Sequence, residues 1–179
     1  VRILAIYPRN ELLKDQFSET YDQVRKLDAY LKANNCRPIR IGTYFGDTFK
    51  RYNVNQSRDN KALVFKTMVC PHNGCGGELV WDTEQSLQSG DTVRCGLCQH
   101  TIDHTLLGLS REGQLKTPPD ILFTSTEMLN RNLGNSDYNK LFGVGAKHPI
   151  PLVLMDEVHT YEGSSGAQAS FLLKRWMKR

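Results

Sequence analysis

Four of the five cysteines in this 179-residue chain form two close pairs, Cys70 with Cys75 and Cys95 with Cys98. The C-x2-C spacing of the second pair is ideal for a turn that directs two sulfurs at one ion, and the C-x4-C spacing of the first lies at the long end of the usual range. Four thiolates suit a tetrahedral Zn²⁺ ion and leave no open position for a catalytic water. The pattern therefore predicts a structural zinc site.

The residues around these cysteines favour a metal over reduced cysteines packed in a core, because their flanks are polar and rich in glycine. Residues 78–82 and 91–94 have the composition of two short paired strands, so the segment resembles a zinc ribbon. Three histidines could each replace a cysteine as a ligand. They are His72, His100 and His104. Three side chains of the ribbon could contact nucleic acid: Lys66, Trp81 and Arg94.

A second group with chemical potential follows the apolar run at residues 152–155, where Asp156, Glu157 and His159 occur together. The run has the length and composition of a strand buried on both faces. In open α/β sheets ligands bind at the carboxyl ends of strands, and a strand ending in Asp-Glu is the Walker B arrangement, in which the Asp holds Mg²⁺. The alternative is an ordinary strand end with solvated acids.

Three segments in the order 3–13, 119–129 and 156–159 are similar to motifs Ia, Ib and II of superfamily-two DExH-box helicases. The first is ILAIYPRNELL, the second PDILFTSTEML and the third DEVH. Residues 44–48 and 159–163 resemble stretches of the bacterial mitomycin-repair type of DNA helicase, and helicases of phage-defence or DNA-modification clusters are similar as well. The resemblance covers about two thirds of the chain and does not include residues 50–118.

The resemblance implies an ATP-dependent DNA helicase or translocase with a catalytic set of Asp156, Glu157 and His159. Asp156 would coordinate Mg²⁺, Glu157 would orient the attacking water, and His159 would couple the nucleotide site to a neighbouring motor domain. Asp156 and Glu157 would thus also form the ATP and Mg²⁺ site. Four residues would line the nucleic-acid path, through contacts independent of base sequence. They are Pro8, Arg9, Thr124 and Thr126.

The sequence contains no GxxxxGK[ST], the loop that cradles the phosphates in this class of enzyme. We therefore expect a fragment comprising the later part of a first motor domain, inactive in ATP hydrolysis by itself. The alternative is a non-enzymatic module that binds nucleic acid or protein on a degenerate helicase scaffold. A zinc-dependent hydrolase is disfavoured, because a closed set of four thiolates has no site for water.

The order of elements predicts an α/β fold, in which a RecA-like, mainly parallel sheet with flanking helices forms a partial motor domain. We assign residues 1–61 and 105–179 to this domain and residues 62–104 to the inserted zinc-ribbon β subdomain. The predicted strands cover residues 2–7, 39–43, 62–69, 121–123 and 152–155. A long helix is expected from an N-cap at Asn10 to about Ala33, a second over 126–132, and a last one capped by Ser164 or Ser165.

Composition permits these functions without selecting one. The formal net charge is +4 and the sequence pI is about 8.8, which is compatible with nucleic-acid binding. No apolar run approaches the ~20 residues that span a bilayer, and no signal-peptide pattern opens the chain. We therefore expect a cytoplasmic protein with nucleic acid, DNA in particular, as its partner and no membrane partner. Through the ribbon it would contact other proteins of a defence or repair system.

Overall fold

The computed structural model of the chain describes residues 1–51, 63–145 and 149–178, apart from the side chains of Thr160 and Ser165. The strands are β1 (Ile3–Tyr7), β2 (Ile41–Tyr44), β3 (Leu79–Trp81), β4 (Thr92–Cys95), β5 (Thr101–Asp103), β6 (Leu107–Gly108), β7 (Ile121–Ser125) and β8 (Leu152–Met155). The α-helices are α1 (Asn10–Lys26), α2 (Asp28–Ala33), α3 (Thr83–Ser89), α4 (Arg111–Lys116), α5 (Thr126–Asn132) and α6 (Gly163–Met177). Single 3-10 turns occupy His72–Gly74, Asn139–Phe142 and Val158–Thr160.

Five strands form a parallel sheet in the order β6-β2-β7-β1-β8. Helix α1 covers one face, where Phe17 packs edge-on against Phe123 of β7 with ring centroids 5.3 Å apart. The opposite face packs against α5 and the Asn139–Phe142 turn, whose Phe142 ring lies 5.3 Å from that of Tyr44. The predicted α/β class, with a parallel sheet flanked by helices, is confirmed.

A second, antiparallel sheet consists of β3, β4 and β5 and lies within the cysteine-rich part of the chain. The predicted hairpin is present, with Leu79 paired to Cys95. The strand predicted over residues 62–69 reduces, within the described residues, to one bridge between Val64 and Val80. Residue 62 of that predicted strand, like residues 52–61 before it, lies outside the described ranges.

Strand β8 corrects one prediction, because the run at residues 152–155 is not buried on both faces. Leu152 and Leu154 are 46% and 50% exposed. In register they share a face with Ile3 and Ala5 of β1. Within the described residues β8 is an edge strand, so the helix that covers the central strands on this face does not shield its outward-facing leucines.

The predicted long helix is interrupted at Leu27, which separates α1 from α2. The predicted caps also differ by one to three residues, since Arg9 is the N-cap of α1 and Glu162 that of α6. Four short elements were not predicted, namely α3, β5, β6 and α4. None of the helices in the described part of the chain is both long enough and apolar enough to cross a membrane.

Candidate metal centre and strand-end site

The four clustered cysteines meet at one point. The sulfur atoms of Cys70, Cys75, Cys95 and Cys98 all lie within 4.8 Å of one another. Cys70 Sγ is 3.6 Å from Cys98 Sγ, and Cys75 Sγ is 3.7 Å from Cys95 Sγ. A tetrahedral ion with Zn–S bonds of about 2.3 Å requires sulfurs about 3.8 Å apart. The cluster could therefore hold a metal ion such as zinc.

Two turns with the same backbone pattern carry these sulfurs, a first knuckle (residues 70–77) and a second knuckle (residues 95–100). In the first, the Cys70 N–H donates to Gly77 O at 2.8 Å, and in the second the Cys95 N–H donates to His100 O at 2.8 Å. The residue after the second cysteine of each knuckle is left-handed, with φ of 67° at Gly76 and 61° at Gln99. Both turns thus direct their cysteine pairs inward by the same local geometry.

Backbone amides of the second knuckle also stabilise a thiolate. The N–H groups of Leu97 and Cys98 donate to Cys95 Sγ at 3.4 and 3.5 Å. The amide of Cys98 is the main cause that lowers the pKa of the Cys95 thiol to about 6, and the amide of Leu97 contributes further. Burial instead raises the pKa of Cys70 to about 12. A bound cation would favour the thiolate form at such a buried position.

The histidines lie outside the sulfur cluster. Within the described residues, the one group of three or more histidine, cysteine or acidic side chains that could hold a metal consists of the four cysteines. His72 and His100 instead stack on each other, with ring centroids 4.5 Å apart and planes inclined by 11°. Burial, followed by the neighbouring His72, lowers the pKa of His100. The stack joins the two knuckles without supplying a ligand.

Of the ribbon side chains considered for nucleic-acid contact, Trp81 is not available for stacking. It is 5% exposed, and its ring packs edge-on against Phe49 with centroids 5.7 Å apart. Packing against a residue distant in the chain explains this burial, which local sequence could not reveal. Arg94 is half-exposed, and its Nε lies 3.4 Å from Asp82 Oδ2. Lys66 is exposed.

The three helicase-like segments converge at one edge of the parallel sheet. Strand β1 lies between β7 and β8, with Tyr7 opposite Ser125 and Ile6 opposite Met155. The Asp156 N–H continues the ladder by donating to Ile6 O at 3.1 Å. Because parallel strands end at the same edge, the residues that follow all three strands are neighbours. We call this group the strand-end site; it comprises Pro8, Arg9, Thr126, Asp156 and Glu157.

The acidic end of β8 has an unusual backbone. Glu157 has a φ of 51°, a left-handed conformation that costs a non-glycine residue energy. Its N–H donates to Asp156 Oδ1 at 2.8 Å, and its carboxylate Oε2 lies 2.9 Å from His159 Nε2. Glu157 is one-third exposed and His159 is mostly exposed. Asp156 is also partly exposed, so both carboxylates remain accessible to a ligand. Burial, with the charge of Asp156 as a second cause, raises the pKa of nearby Tyr7.

The residues predicted to line a nucleic-acid path separate into surface and core positions. Arg9 is exposed at the start of α1, and Pro8 and Thr126 are half-buried. Thr124 is fully buried, and its hydroxyl donates to Tyr44 O at 2.7 Å. Its central strand places this hydroxyl in the core, so the structure favours a positioning role for Thr124 over contact with a phosphate.

Arg111 was not anticipated from the sequence, yet it reaches this edge from α4. Its Nη2 donates to the carbonyls of Phe45 and Gly46 at 2.9 and 3.3 Å. Its guanidinium lies 5.0 Å above the centroid of the Tyr44 ring. The two hydrogen bonds join residues 66 and 65 positions apart, and the Tyr44 ring is equally distant in the chain, so no local pattern could have indicated these contacts.

No family model matches this chain, and no curated protein or solved structure matches it. The four-cysteine cluster and the geometry of the strand-end site are therefore the features that bear on function.

Proposed function

We propose that this chain forms part of the first motor domain of an ATP-dependent superfamily-two helicase or translocase that acts on DNA and carries a structural zinc ribbon. The observation that carries the proposal is the arrangement of β7, β1 and β8 as neighbouring parallel strands. The segments that resemble motifs Ib and Ia contain β7 and β1 and continue past their ends, and the segment that resembles motif II follows β8, so all three reach the same edge. Phosphoryl transfer depends more on correctly positioned charges than on covalent chemistry. Charged side chains at the ends of these strands can supply such charges.

Zinc is the ion that best suits the cysteine cluster. Four thiolates at the observed separations match its tetrahedral preference, and the two amide donors to Cys95 Sγ provide the outer-shell support typical of such sites. Bound zinc would fasten the two knuckles together. A closed set of four cysteines gives it a structural role.

At the strand-end site, Asp156 is the residue we assign to Mg²⁺ and Glu157 the residue that orients the attacking water. The Asp156 carboxylate accepts a hydrogen bond from the N–H of Glu157, which fixes its direction beside the sheet edge. The Mg²⁺ would neutralise charge on the ATP phosphates. His159 holds the Glu157 carboxylate at 2.9 Å and thereby orients it. In a complete motor it would also couple to the second domain.

DNA would cross the edge next to these carboxylates. Arg9 is exposed and suited to a phosphate, and the hydroxyl of the half-buried Thr126 at the start of α5 is suited to one as well. Pro8 shapes the entry into α1. Such contacts bind the sugar-phosphate backbone independently of base sequence, as a translocating motor requires.

A second candidate function is a non-enzymatic module that binds nucleic acid or protein. The observation that favours it is the lack of a GxxxxGK[ST] motif in the 179 residues. On either proposal we expect the isolated chain not to hydrolyse ATP. The two differ in whether Glu157 has a catalytic role once a phosphate-binding loop is supplied.

The test is Glu157→Gln in a longer protein that joins this chain to a phosphate-binding loop and a second motor domain. The change keeps shape and removes the charge that orients water, so ATP binding should persist while DNA-stimulated hydrolysis falls by about 100-fold or more. Glu84→Gln on the exposed side of α3 is the matched control. Absence of hydrolysis in the wild-type longer protein would support the non-enzymatic alternative, and normal hydrolysis in the Glu157 variant would show that Glu157 is not the catalytic carboxylate.

A further inference from the structure

The ribbon is packed into the parallel sheet, and its core is continuous with that of the sheet. Leu79, Val93 and Ile102 belong to the same buried hydrophobic cluster as the central strands. Arg40, which is 3% exposed and precedes β2, donates from Nε to His104 O at 2.5 Å and from Nη1 to Thr117 O. The two sheets therefore share one packed interior, and packed interiors are stiff.

Asp91 and Ser110 form the polar link at this junction. Asp91 immediately precedes β4, the strand that ends at Cys95. The Ser110 hydroxyl donates to Asp91 Oδ2 and also accepts the N–H of Gly113 at 3.0 Å, so it is the N-cap of α4. The ribbon strand that carries a proposed metal ligand thus holds the start of α4.

From the start of α4, Arg111 holds the turn at residues 45–48, which follows β2 and is called here the 45–48 turn. Besides its bonds to the Phe45 and Gly46 carbonyls, its backbone N–H donates to Phe49 O at 2.8 Å. Within the turn, the Thr48 N–H donates to Phe45 O at 3.1 Å. Three hydrogen bonds thus join the first residue of α4 to the 45–48 turn and to Phe49, which follows it.

The 45–48 turn follows β2 at the same sheet edge as the strand-end site, and two contacts link this region to neighbours of the site. Lys14, in the second turn of α1, pairs with Asp47 at 2.9 Å. Thr124, which precedes the start of α5 by two residues, donates its hydroxyl to Tyr44 O. Hydrogen bonds and short chain segments thus connect the ribbon, through α4 and the turn, to the helices that begin with Asn10 and Thr126.

We infer that Asp91, Ser110 and Arg111 are positioning residues through which the metal-bound ribbon sets the 45–48 turn and thereby the affinity of the strand-end site for DNA. The inference rests on one part of the proposed function, namely that the strand-end site binds DNA. Because binding free energies are reciprocal, DNA should strengthen metal binding by the same factor that the metal strengthens DNA binding.

The experiment uses the whole 179-residue chain, labelled with ¹⁵N and loaded with zinc. The amide signals of Gly46 and Asp47 report the turn in the absence of DNA, and fluorescence anisotropy measures binding of a single-stranded oligonucleotide. Removal of zinc with a chelator, and the variants Asp91→Asn and Ser110→Ala at full zinc content, should each shift these amide signals and weaken binding about three- to tenfold. The double variant should be no weaker than the worse single variant, because both changes break one link.

Further variants distinguish the loss of this link from a general loss of folding. Gly113→Ala would place a Cβ 2.9 Å from Asp91 Oδ2 while favouring the helix, so it should displace the link and shift the Gly46 amide without unfolding the chain. Arg111→Lys should restore part of the affinity lost in Arg111→Ala. The matched controls Asp15→Asn and Ser89→Ala, both at exposed helical positions, should leave the amide signals and affinity unchanged.

The two proposals fail in different ways. If the wild-type chain does not bind the oligonucleotide but the amide signals respond as expected, the DNA-binding proposal is wrong and the positioning of the turn by the ribbon stands. If the wild type binds and the zinc-loaded Asp91, Ser110 and Gly113 variants keep wild-type amide signals and affinity, the inference is overturned.

Discussion

The sulfur atoms of Cys75 and Cys95 lie 3.7 Å apart, although the residues are 20 positions apart and belong to different knuckles. The other close sulfur contact, between Cys70 and Cys98, also crosses from one knuckle to the other. Register within the β3–β4 hairpin produces this arrangement, since Cys95 pairs with Leu79, four residues after Cys75. One ion at this point would therefore restrain both turns and the hairpin between them.

Removal of one ligand should release the metal. We expect about one zinc ion per chain in the wild type and Cys98→Ser to lose most of it, with a lower unfolding temperature, because metal binding supplies of order 10 kcal/mol in comparable sites. Elemental analysis and thermal unfolding provide the measurements. Cys36→Ser, an exposed cysteine outside the cluster, is the control. A wild-type zinc content far below one per chain would rule out the site.

Gly77 should be required for metal affinity because of its closeness to a ligand. A Cβ at this position would lie 2.8 Å from Cys95 Sγ, which is closer than van der Waals contact allows. Gly77→Ala should therefore weaken zinc binding about tenfold or more, measured by competition with a chromogenic chelator. Gly134→Ala, where a Cβ meets nothing within 4 Å, should bind as the wild type does. Equal affinities in the two variants would contradict the geometry of the first knuckle.

Asp120 should contribute stability that disappears in acid. Burial opposes its ionised form, but Arg37, at 2.6 and 2.7 Å, and the Arg40 N–H, at 3.0 Å, together hold its pKa below the ordinary value of 3.8. Because the folded-state pKa is depressed, the contribution is present above about pH 4 and is lost as the pH falls through the lower folded-state value.

The substitution Asp120→Asn should lower the free energy of unfolding by about 1–2 kcal/mol at pH 7. This loss is smaller than that expected for a fully buried ion pair, because Arg37 is largely exposed to solvent. Urea unfolding at several pH values measures this difference, which should shrink towards pH 3. Glu127→Gln breaks the exposed pair with Arg131 and should cost less than about 0.5 kcal/mol at either pH. A constant difference across this pH range would show that Asp120 acts without its charge.

Arg9 should contact a phosphate if DNA follows the strand-end site. Arg9→Ala should weaken binding of single-stranded oligonucleotides of different sequence by a similar factor, because a phosphate contact is independent of the bases. It should also reduce the slope of log K against log salt concentration by about 0.7, the value for one contact to a single strand. Lys32→Ala, near the end of α2, is the control. An unchanged slope would place the DNA elsewhere.

Local sequence patterns predicted four of the five strands of the parallel sheet, all but β6, and also the cysteine cluster, for physical reasons. Short apolar runs such as residues 121–123 are stable mainly when they are buried in the core of a sheet. The spacing of metal ligands is a short-range property of turns. The α/β class follows from the alternation of such runs with helical stretches. The assignment of ATP, Mg²⁺ and DNA to the strand-end residues came from resemblance and stays a prediction.

Burial and long-range partners were decided only by the tertiary structure. The sequence at Trp81 and Thr124 is compatible with exposure, but packing against Phe49 and placement in a central strand bury both side chains. The apolar residues of β8 are compatible with burial, yet their position in an edge strand leaves Leu154 half exposed. Arg111 meets the 45–48 turn because α4 packs beside β6, at the end of the sheet next to β2. Whether a side chain faces the core depends on strand order and neighbouring elements, which are properties of the whole chain and not of any segment.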